Sequence, residues 1–306
     1  MKQIIKRGSF FTLMFMLLGC LSLYAADNDL ITKQITINLQ EAGTLPNRIA
    51  SSEKYKITNL KIIGEINGTD LRMIRDMAGS DYRGNDTDGK LSVLDLSEAK
   101  IVKGGDYYYK NNYNKYYTSN DVIGSYAFSG CYRLTSLTLP DGITEIGDEA
   151  FQFCRGLTSL PLPASITKIG NGTFKDCSGL TSLTLPAGIT SIGYKAFEGC
   201  NGLTSIYVYA EKVPKIDRYA FEEFDANKCT LYVPMGTYDD YLVSAFGNYF
   251  ENIVEFDATG IDKTTTSTDV EEVARYSVNG QRLSAPTKGL NIVKYSDGSV
   301  KKVTVR

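Results

Sequence analysis

The sequence predicts an α/β to mainly-β solenoid of 23-residue repeats that share one parallel sheet, preceded by an α/β cap and followed by a small all-β module. One observation is that four phenylalanines recur at intervals of 23 residues, and four cysteines keep the same interval. The other is that each repeat contains a Leu-Thr-Ser-Leu segment or a close variant, which predicts a short strand. One such unit cannot bury its apolar side alone, so neighbouring units are expected to share a continuous core.

Each repeat reads I-G-x-x-A/T-F-x-x-C-x-x-L-T-S-L-x-L-P, and its Phe and Cys are expected to point inward. The predicted core positions are Phe128, Phe151, Phe174, Phe197, Phe221, Cys131, Cys154, Cys177 and Cys200. The thiols are interpreted as a column of small buried side chains, with disulfide bonds between repeats as the alternative. The glycine of each I-G pair predicts a left-handed or a crowded backbone, at Gly124, Gly147, Gly170 and Gly193.

The segments on either side of these repeats show weaker forms of the same apolar spacing. Residues 26–119 are predicted to hold an N-terminal cap and irregular repeats, including a helix that begins at Thr69 and ends at Gly79. Residues 120–256 are predicted to form the solenoid and its C-terminal cap, which contains a helix over residues 238–246.

The two ends of the chain predict export. Residues 1–25 place cations before an apolar run and a small-residue cleavage site, which is the order of a secretory signal peptide. A lipobox at Cys20 is the alternative, and would add a lipid anchor. Residues 257–272 predict a linker, and residues 273–306 predict a β-rich module that opens with an Asn-Gly hairpin. The body is therefore expected at the cell surface or outside the cell, with the periplasm as an alternative.

Charge and composition exclude several classes of function. The 33 Lys and Arg against 35 Asp and Glu give a net charge of −2, which is not the basic balance of a nucleic-acid-binding protein. The absence of His removes the commonest general base and the commonest zinc ligand. The best carboxylate pair, Glu198 with Glu222, is expected to point outward with no pocket to raise the pKa of an acid. The sequence therefore predicts no enzyme, no cofactor and no metal site.

Six tyrosines crowd a stretch that is otherwise made of Lys, Asn and Gly. They are Tyr107, Tyr108, Tyr109, Tyr113, Tyr116 and Tyr117. Tyrosine rings can stack on sugars or anchor a protein partner, since they give a large contact area for little lost entropy. The cluster is therefore a candidate binding site, and the alternative is an inserted loop that packs its rings over the early repeats.

The exposed positions of the predicted strands form a second candidate site. Thr138, Thr184 and Tyr207 fall on the outer side of a face lined mainly by Ser and Thr. Such a face can hydrogen-bond a chain laid across it, but hydroxyl side chains are also what an exposed strand prefers.

The unit from Ile146-Gly147 to Pro163 resembles the BspA-type leucine-rich repeats of bacterial surface proteins. The resemblance covers residues 120–256 closely and residues 30–119 loosely. It implies a leucine-rich-repeat solenoid and an exported or surface-displayed interaction protein, in some cases an adhesin, without catalysis.

The tail from Tyr276 to Gly289, with its N-G-Q-R-L and P-T-K-G-L segments, resembles the C-terminal sorting domains of type IX secretion cargo. That resemblance implies display on the cell surface or release. The predicted function is macromolecular binding or adhesion, with a protein or polysaccharide partner, no nucleic acid, and membrane attachment only through Cys20. The alternative is a carbohydrate-binding component of a surface glycan-handling assembly, in which the tyrosines make the contact.

Overall fold

The structure, a computed structural model, describes residues 30–217, 219–258, 272–277, 282–283, 285, 288–295 and 300–305. These residues belong to two units, of which the first ends at Ala258. The predicted signal peptide, the lipobox Cys20 and most of the linker lie outside the described residues. Among the described residues, no helix is long and apolar enough to span a bilayer.

The N-terminal part of the first unit combines a parallel sheet with one helix. Its strands are β1 (Ile35–Leu39), β2 (Asn59–Ile66), β3 (Val93–Asp95) and β4 (Ala99–Ile101). Strand β2 pairs in parallel with each of the other three. A 3-10 helix, Leu45–Asn47, follows β1, and the helix α1, Gly68–Met77, follows β2. The apolar side of α1, with Ile74 and Met77, is fully buried in the core.

Helix α1 begins earlier than the sequence predicted. The Asn67 side chain accepts a hydrogen bond from the Thr69 N–H (2.9 Å), and the Asp70 carboxylate accepts one from the Asn67 N–H (2.9 Å). The predicted N-cap, Thr69, lies in the first turn, where its hydroxyl accepts the N–H of Asp106. Asn67 is the N-cap because the Asp70 side chain accepts a hydrogen bond from the Asn67 backbone in return, which completes a capping box.

A two-stranded antiparallel hairpin follows β4. Its strands are β5 (Gly104–Lys110) and β6 (Lys115–Thr118), and β5 packs against α1. The hairpin carries all six clustered tyrosines.

The repeats carry two parallel ladders of strands, whereas the sequence predicted a single sheet. The first ladder has two-residue strands, β7 (Val122–Ile123), β9 (Glu145–Ile146), β10 (Lys168–Ile169), β12 (Ser191–Ile192) and β14 (Lys215–Ile216). The second has the longer strands β8 (Ser136–Thr138), β11 (Ser182–Leu185), β13 (Ser205–Val208), β15 (Thr230–Pro234) and β16 (Ile253–Phe256). The first ladder forms because the isoleucine of each I-G pair also enters the core, which brings stacked copies of that segment into register.

The sheet of longer strands is interrupted at the second repeat. Strand β8 pairs with β3, while β11, β13, β15 and β16 form a separate sheet. Between them, Ser159 makes only an isolated bridge to Ser182. The cause is Pro161, which occupies the position held by Thr138 and Thr184 in the adjacent repeats and has no N–H to give to a ladder. The prediction of one continuous sheet is wrong for this reason.

The interior of the repeats is a stack of phenylalanine rings beside a column of thiols. Neighbouring ring centroids are 5.5 Å apart from Phe128 to Phe197, and 5.0 Å apart from Phe197 to Phe221. The next three thiols after Cys131 each donate to a Phe carbonyl of the preceding repeat, at 2.9–3.1 Å. Burial raises the pKa of Cys131 to about 11 and that of Cys200 to about 12. All five cysteines of the described residues are free thiols, not disulfides.

The glycines of the I-G pairs serve close packing. None of Gly147, Gly170 and Gly193 has a positive φ, so the left-handed alternative is wrong for them. A Cβ on Gly170 would lie 2.6 Å from the carbonyl carbon of Gly147. The left-handed backbone occurs instead at positions such as Glu149 (φ 53°) and Phe153 (φ 59°).

The helix predicted over residues 238–246 is split. Helix α2 (Tyr238–Leu242) ends early, and a 3-10 helix, Ala245–Asn248, follows because the Ser244 hydroxyl caps it through the Phe246 N–H (3.1 Å). The second unit is an antiparallel sheet in the order β18-β17-β19-β20. Its strands are β17 (Glu272–Ser277), β18 (Arg282–Leu283), β19 (Gly289–Tyr295) and β20 (Val300–Val305).

Candidate binding site

The outer side of β11, β13, β15 and β16 carries a line of neighbouring side chains. Strand register aligns Thr184 with Tyr207, Tyr207 with Tyr232, and Tyr232 with Val254. We call these four residues the aromatic row. Alternate residues of the same strands are buried in the core, so the row faces away from it.

The rings of the aromatic row are held in a fixed arrangement. Tyr207 and Tyr232 stack with their centroids 4.4 Å apart and their planes within 7°. Phe256 meets Tyr207 edge-on at 5.7 Å, and Tyr209 at 5.0 Å. Partial burial raises the pKa of Tyr207, so its hydroxyl stays protonated at neutral pH. Because the rings hold one another in place, a ligand that binds them costs little side-chain conformational entropy.

A polar border runs beside the aromatic row. Ser205 hydrogen-bonds Ser182 across the strands (3.1 Å), and Asn252 donates to the Thr230 hydroxyl (2.6 Å). Glu255 is the one charged residue in these four strands, and its carboxylate accepts two backbone N–H bonds (2.8 and 3.0 Å). The face is therefore aromatic and hydroxyl-rich, with little charge.

The third predicted residue of this face, Thr138, lies apart from the other two. It is on β8, in register with Asp95 of β3. Lys61 of β2 bridges Asp95 (3.2 Å) and Glu98 (2.7 Å), so this part of the outer surface is charged. The structure thus brings together Thr184 and Tyr207, but not Thr138.

Half of the tyrosine cluster is committed to packing. Tyr108 is 1% exposed, and its hydroxyl donates to the carbonyl oxygen of Ser125 (2.8 Å). Tyr109 and Tyr116 pack on Tyr126 of the first repeat, with centroids 4.7 and 4.8 Å away. These three rings therefore pack as in the alternative interpretation, that of an inserted loop lying over the early repeats. Tyr108 in particular has no surface to offer a partner, so it leaves the set of candidates.

The other clustered tyrosines remain accessible. Tyr113, in the hairpin turn, is 90% exposed, and Tyr117 is 52% exposed. Tyr107 is half-buried and meets Tyr117 edge-on at 6.2 Å. The cluster therefore does not present one continuous aromatic surface.

The carboxylate pair is arranged for ion pairing. Contrary to the sequence prediction, the Glu198 side chain does not point into solvent: it is 8% exposed, because lysines from two repeats cover it. Lys175 lies 2.6 Å and Lys195 2.5 Å from its carboxylate, and Lys195 also pairs with Glu222 (2.6 Å). Burial works to raise the pKa of Glu198, but the two lysines outweigh it and the pKa is lowered. A carboxyl kept ionised in this way is unsuited to general acid catalysis.

Glu198→Gln is expected to lower the free energy of unfolding at pH 7 by about 2 kcal/mol, since the ion pairs of the Glu198 carboxylate with Lys175 and Lys195 are lost. Because the folded-state pKa of Glu198 lies below its ordinary value of 4.5, its stabilising effect is present above that pH and is lost as the pH falls through the folded-state pKa. The variant should therefore lose less stability than the wild type between neutral and acid pH. Urea unfolding measured across that range tests both points.

The control is Glu211→Gln, because Glu211 is exposed. It should change stability by less than about 0.5 kcal/mol at either pH. An acid sensitivity of Glu198→Gln equal to that of the wild type would contradict the assignment.

Sequence reasoning missed Tyr209, Tyr232 and Phe256. A signal existed for Tyr232, because Leu-Tyr-Val in β15 has the same pattern as Ile-Tyr-Val in β13. Phe256 gave none, since it follows the last repeat and reaches Tyr207 only through the parallel pairing of β16 with β15.

The stacked 23-residue units, the parallel ladders and the buried periodic leucines define a leucine-rich repeat fold. Residues 104–228 match the BspA type leucine rich repeat region in six copies. No curated protein matches the chain.

Solved structures similar to the chain include three bacterial leucine-rich repeat proteins. A leucine rich repeat protein of T. pallidum is 38% identical over 29% of this chain and 42% of its own, with a TM-score of 0.28. One from Bacteroides ovatus is 23% identical over 65% and 47%, with a TM-score of 0.36. A leucine rich cell surface protein from Faecalibacterium prausnitzii is 18% identical over 87% and 48%, with a TM-score of 0.33. The chain spans less than half the length of each of these proteins.

Proposed function

We propose that the chain is a secreted or cell-surface binding protein without catalytic activity, and that a protein partner docks on the aromatic row. The observation that carries this proposal is the braced stack of Tyr207 and Tyr232 on the open side of the sheet. Interfaces draw most of their binding energy from a few aromatic side chains surrounded by polar groups. The hydroxyls of Ser205 and Thr230 supply such a border.

Export and display rest on three further observations. The order of residues in 1–25 is that of a secretory signal, and the tail beyond residue 273 resembles a sorting domain. The match to BspA-type repeats favours a role in binding at the cell surface or outside the cell. Adhesion is the form of binding that fits this location.

The carbohydrate alternative placed the contact on the six clustered tyrosines. Of these, Tyr108 is buried and Tyr109 is stacked on Tyr126, so the cluster offers a sugar only separate rings. The protein-binding proposal is favoured because its aromatic surface is continuous and accessible.

The experiment is a comparison of surface and extracellular proteins captured by the wild type and by the double variant Tyr207→Ala with Tyr232→Ala. Binding of the specific partner should fall at least about tenfold, as for interface residues worth 2 kcal/mol or more. Tyr194→Ala is the control, since Tyr194 is an exposed tyrosine outside the row and contacts Tyr219 instead. Equal capture by the double variant, with an unchanged melting temperature, would contradict the proposal.

A further inference from the structure

The N-terminal cap contains a groove that the repeats do not share. It follows α1 on the side facing the turns after Leu45–Asn47, and has a volume of about 670 Å³. Among the residues that line it are Lys54, Tyr55, Arg72, Asp76, Tyr82 and Asp106. Its size is that of a small-molecule site, and none of its lining residues belongs to the aromatic row.

Most charged groups of the groove already have partners. The Asp76 carboxylate accepts hydrogen bonds from the Lys54 ammonium and from the Tyr55 hydroxyl (3.0 Å for the latter). The Asp81 carboxylate accepts two backbone N–H bonds (2.7 and 2.9 Å) and a side-chain bond from Asn85 (3.0 Å). These groups shape the groove, but they have little capacity left for a ligand.

Arg72 is the exception. Its guanidinium lies over the Tyr82 ring at 3.8 Å and near the Tyr107 ring at 5.2 Å, and these cation–π contacts hold it in place. The nearest carboxylate, that of Asp106, is 3.9 Å away, beyond hydrogen-bonding distance, and 64% exposed. Within the described residues the Arg72 side chain donates no hydrogen bond, although a guanidinium has five N–H groups to give.

The geometry points to a neutral oligosaccharide as the ligand of this groove. A guanidinium held by two rings beside the exposed carboxylate of Asp106 suits two neighbouring sugar hydroxyls, because one can accept from the guanidinium while the other donates to the carboxylate. The rings of Tyr55 and Tyr82 supply apolar surface for the C–H edges of the sugar.

The charges of the groove oppose an acidic ligand. Three carboxylates line it, against two cations, of which Lys54 is already paired with Asp76. The carboxylate of a uronic acid, or of a peptide C-terminus, would form an ion pair with Arg72 but would be repelled by the adjacent Asp106 carboxylate. A neutral sugar makes both bonds without that repulsion.

The test is binding of the full chain to an array of oligosaccharides of roughly two to six units, both neutral and uronic, followed by calorimetry on the strongest neutral binder. Binding to a neutral sugar should weaken at least about tenfold in Arg72→Met and in Asp106→Asn, since each removes a charge-assisted hydrogen bond. Arg48→Met is the matched control: Arg48 is an exposed cation of the same cap that does not line the groove, and its loss should leave affinity within about twofold.

Three results would overturn the proposal: no neutral oligosaccharide binds, uronic sugars bind more tightly than neutral ones, or both variants bind as the wild type does. Thermal melting of each variant establishes that it is folded. The double variant of the aromatic row serves as a further comparison, and should bind the sugar normally, so this proposal and the protein-binding one can fail separately.

Discussion

Arg75→Met is expected to lower the free energy of unfolding by about 3–5 kcal/mol. The substitution removes the guanidinium N–H groups that donate to backbone carbonyls of the first repeat, which has no regular repeat before it. In the later repeats, backbone carbonyls accept N–H bonds from the repeat before them. In the second repeat these carbonyls belong to Asp148, Ala150 and Gln152. In the first repeat, which follows the irregular hairpin, the equivalent carbonyls belong to Ser125, Ala127 and Ser129.

Side chains of the cap replace the missing repeat. The fully buried Arg75 guanidinium donates to Ala127 (3.1 Å) and Ser129 (2.9 Å), and the Tyr108 hydroxyl donates to Ser125 (2.8 Å). Methionine fills a similar volume but donates nothing, so the carbonyls would be buried without partners. Tyr108→Phe removes a single donor and should cost less, about 1–2 kcal/mol.

Urea unfolding followed by circular dichroism measures these differences. Arg83→Met is the control, because Arg83 is exposed on a nearby turn, and it should cost less than about 0.5 kcal/mol. If Arg75→Met unfolded within about 1 kcal/mol of the wild type, the closing role assigned to Arg75 would be wrong.

Gly170→Ala is expected to cost about 3 kcal/mol, the upper end for overpacking, because the added Cβ would clash with backbone of the preceding repeat as well as with the Asp148 carboxylate, and the backbone cannot rotate aside. The added Cβ would lie 2.6 Å from the carbonyl carbon of Gly147 and 2.7 Å from the amide nitrogen of Asp148. Relieving that clash means separating two repeats that also share the phenylalanine stack.

Gly142→Ala provides the matched control in the same kind of unit. A Cβ on Gly142 meets nothing within 4 Å, and its φ is not positive, so the change should be within about 0.5 kcal/mol. Thermal and urea unfolding of the two variants test the prediction. Equal stability of Gly170→Ala and Gly142→Ala would show that the repeats are not packed backbone to backbone at this column.

The 23-residue period was enough to predict that the repeats stack, because the Phe, Cys and Leu positions all recur at the same interval. It did not predict the interruption at Pro161. Predicting that break requires checking, repeat by repeat, whether each strand residue has a backbone N–H to donate. It also did not predict the second ladder, since two-residue strands leave almost no alternating pattern.

The candidate sites were harder to predict, because burial of a polar side chain depends on what lies across from it. Tyr108 and Tyr113 belong to the same Tyr-rich stretch, yet one is 1% exposed and the other 90%. Glu198 is covered only because lysines of two successive repeats meet there. The aromatic row likewise depends on pairing between strands that are distant in sequence.

Site-specific photo-cross-linking on intact cells tests most directly whether a partner occupies the outer face of the sheet. A photoreactive residue at Thr184, the first residue of the aromatic row, should capture the partner. The same residue at Ser178, exposed in the turn after Cys177, should not. Cross-linking from position 178 alone, or equally from both positions, would contradict binding through this face.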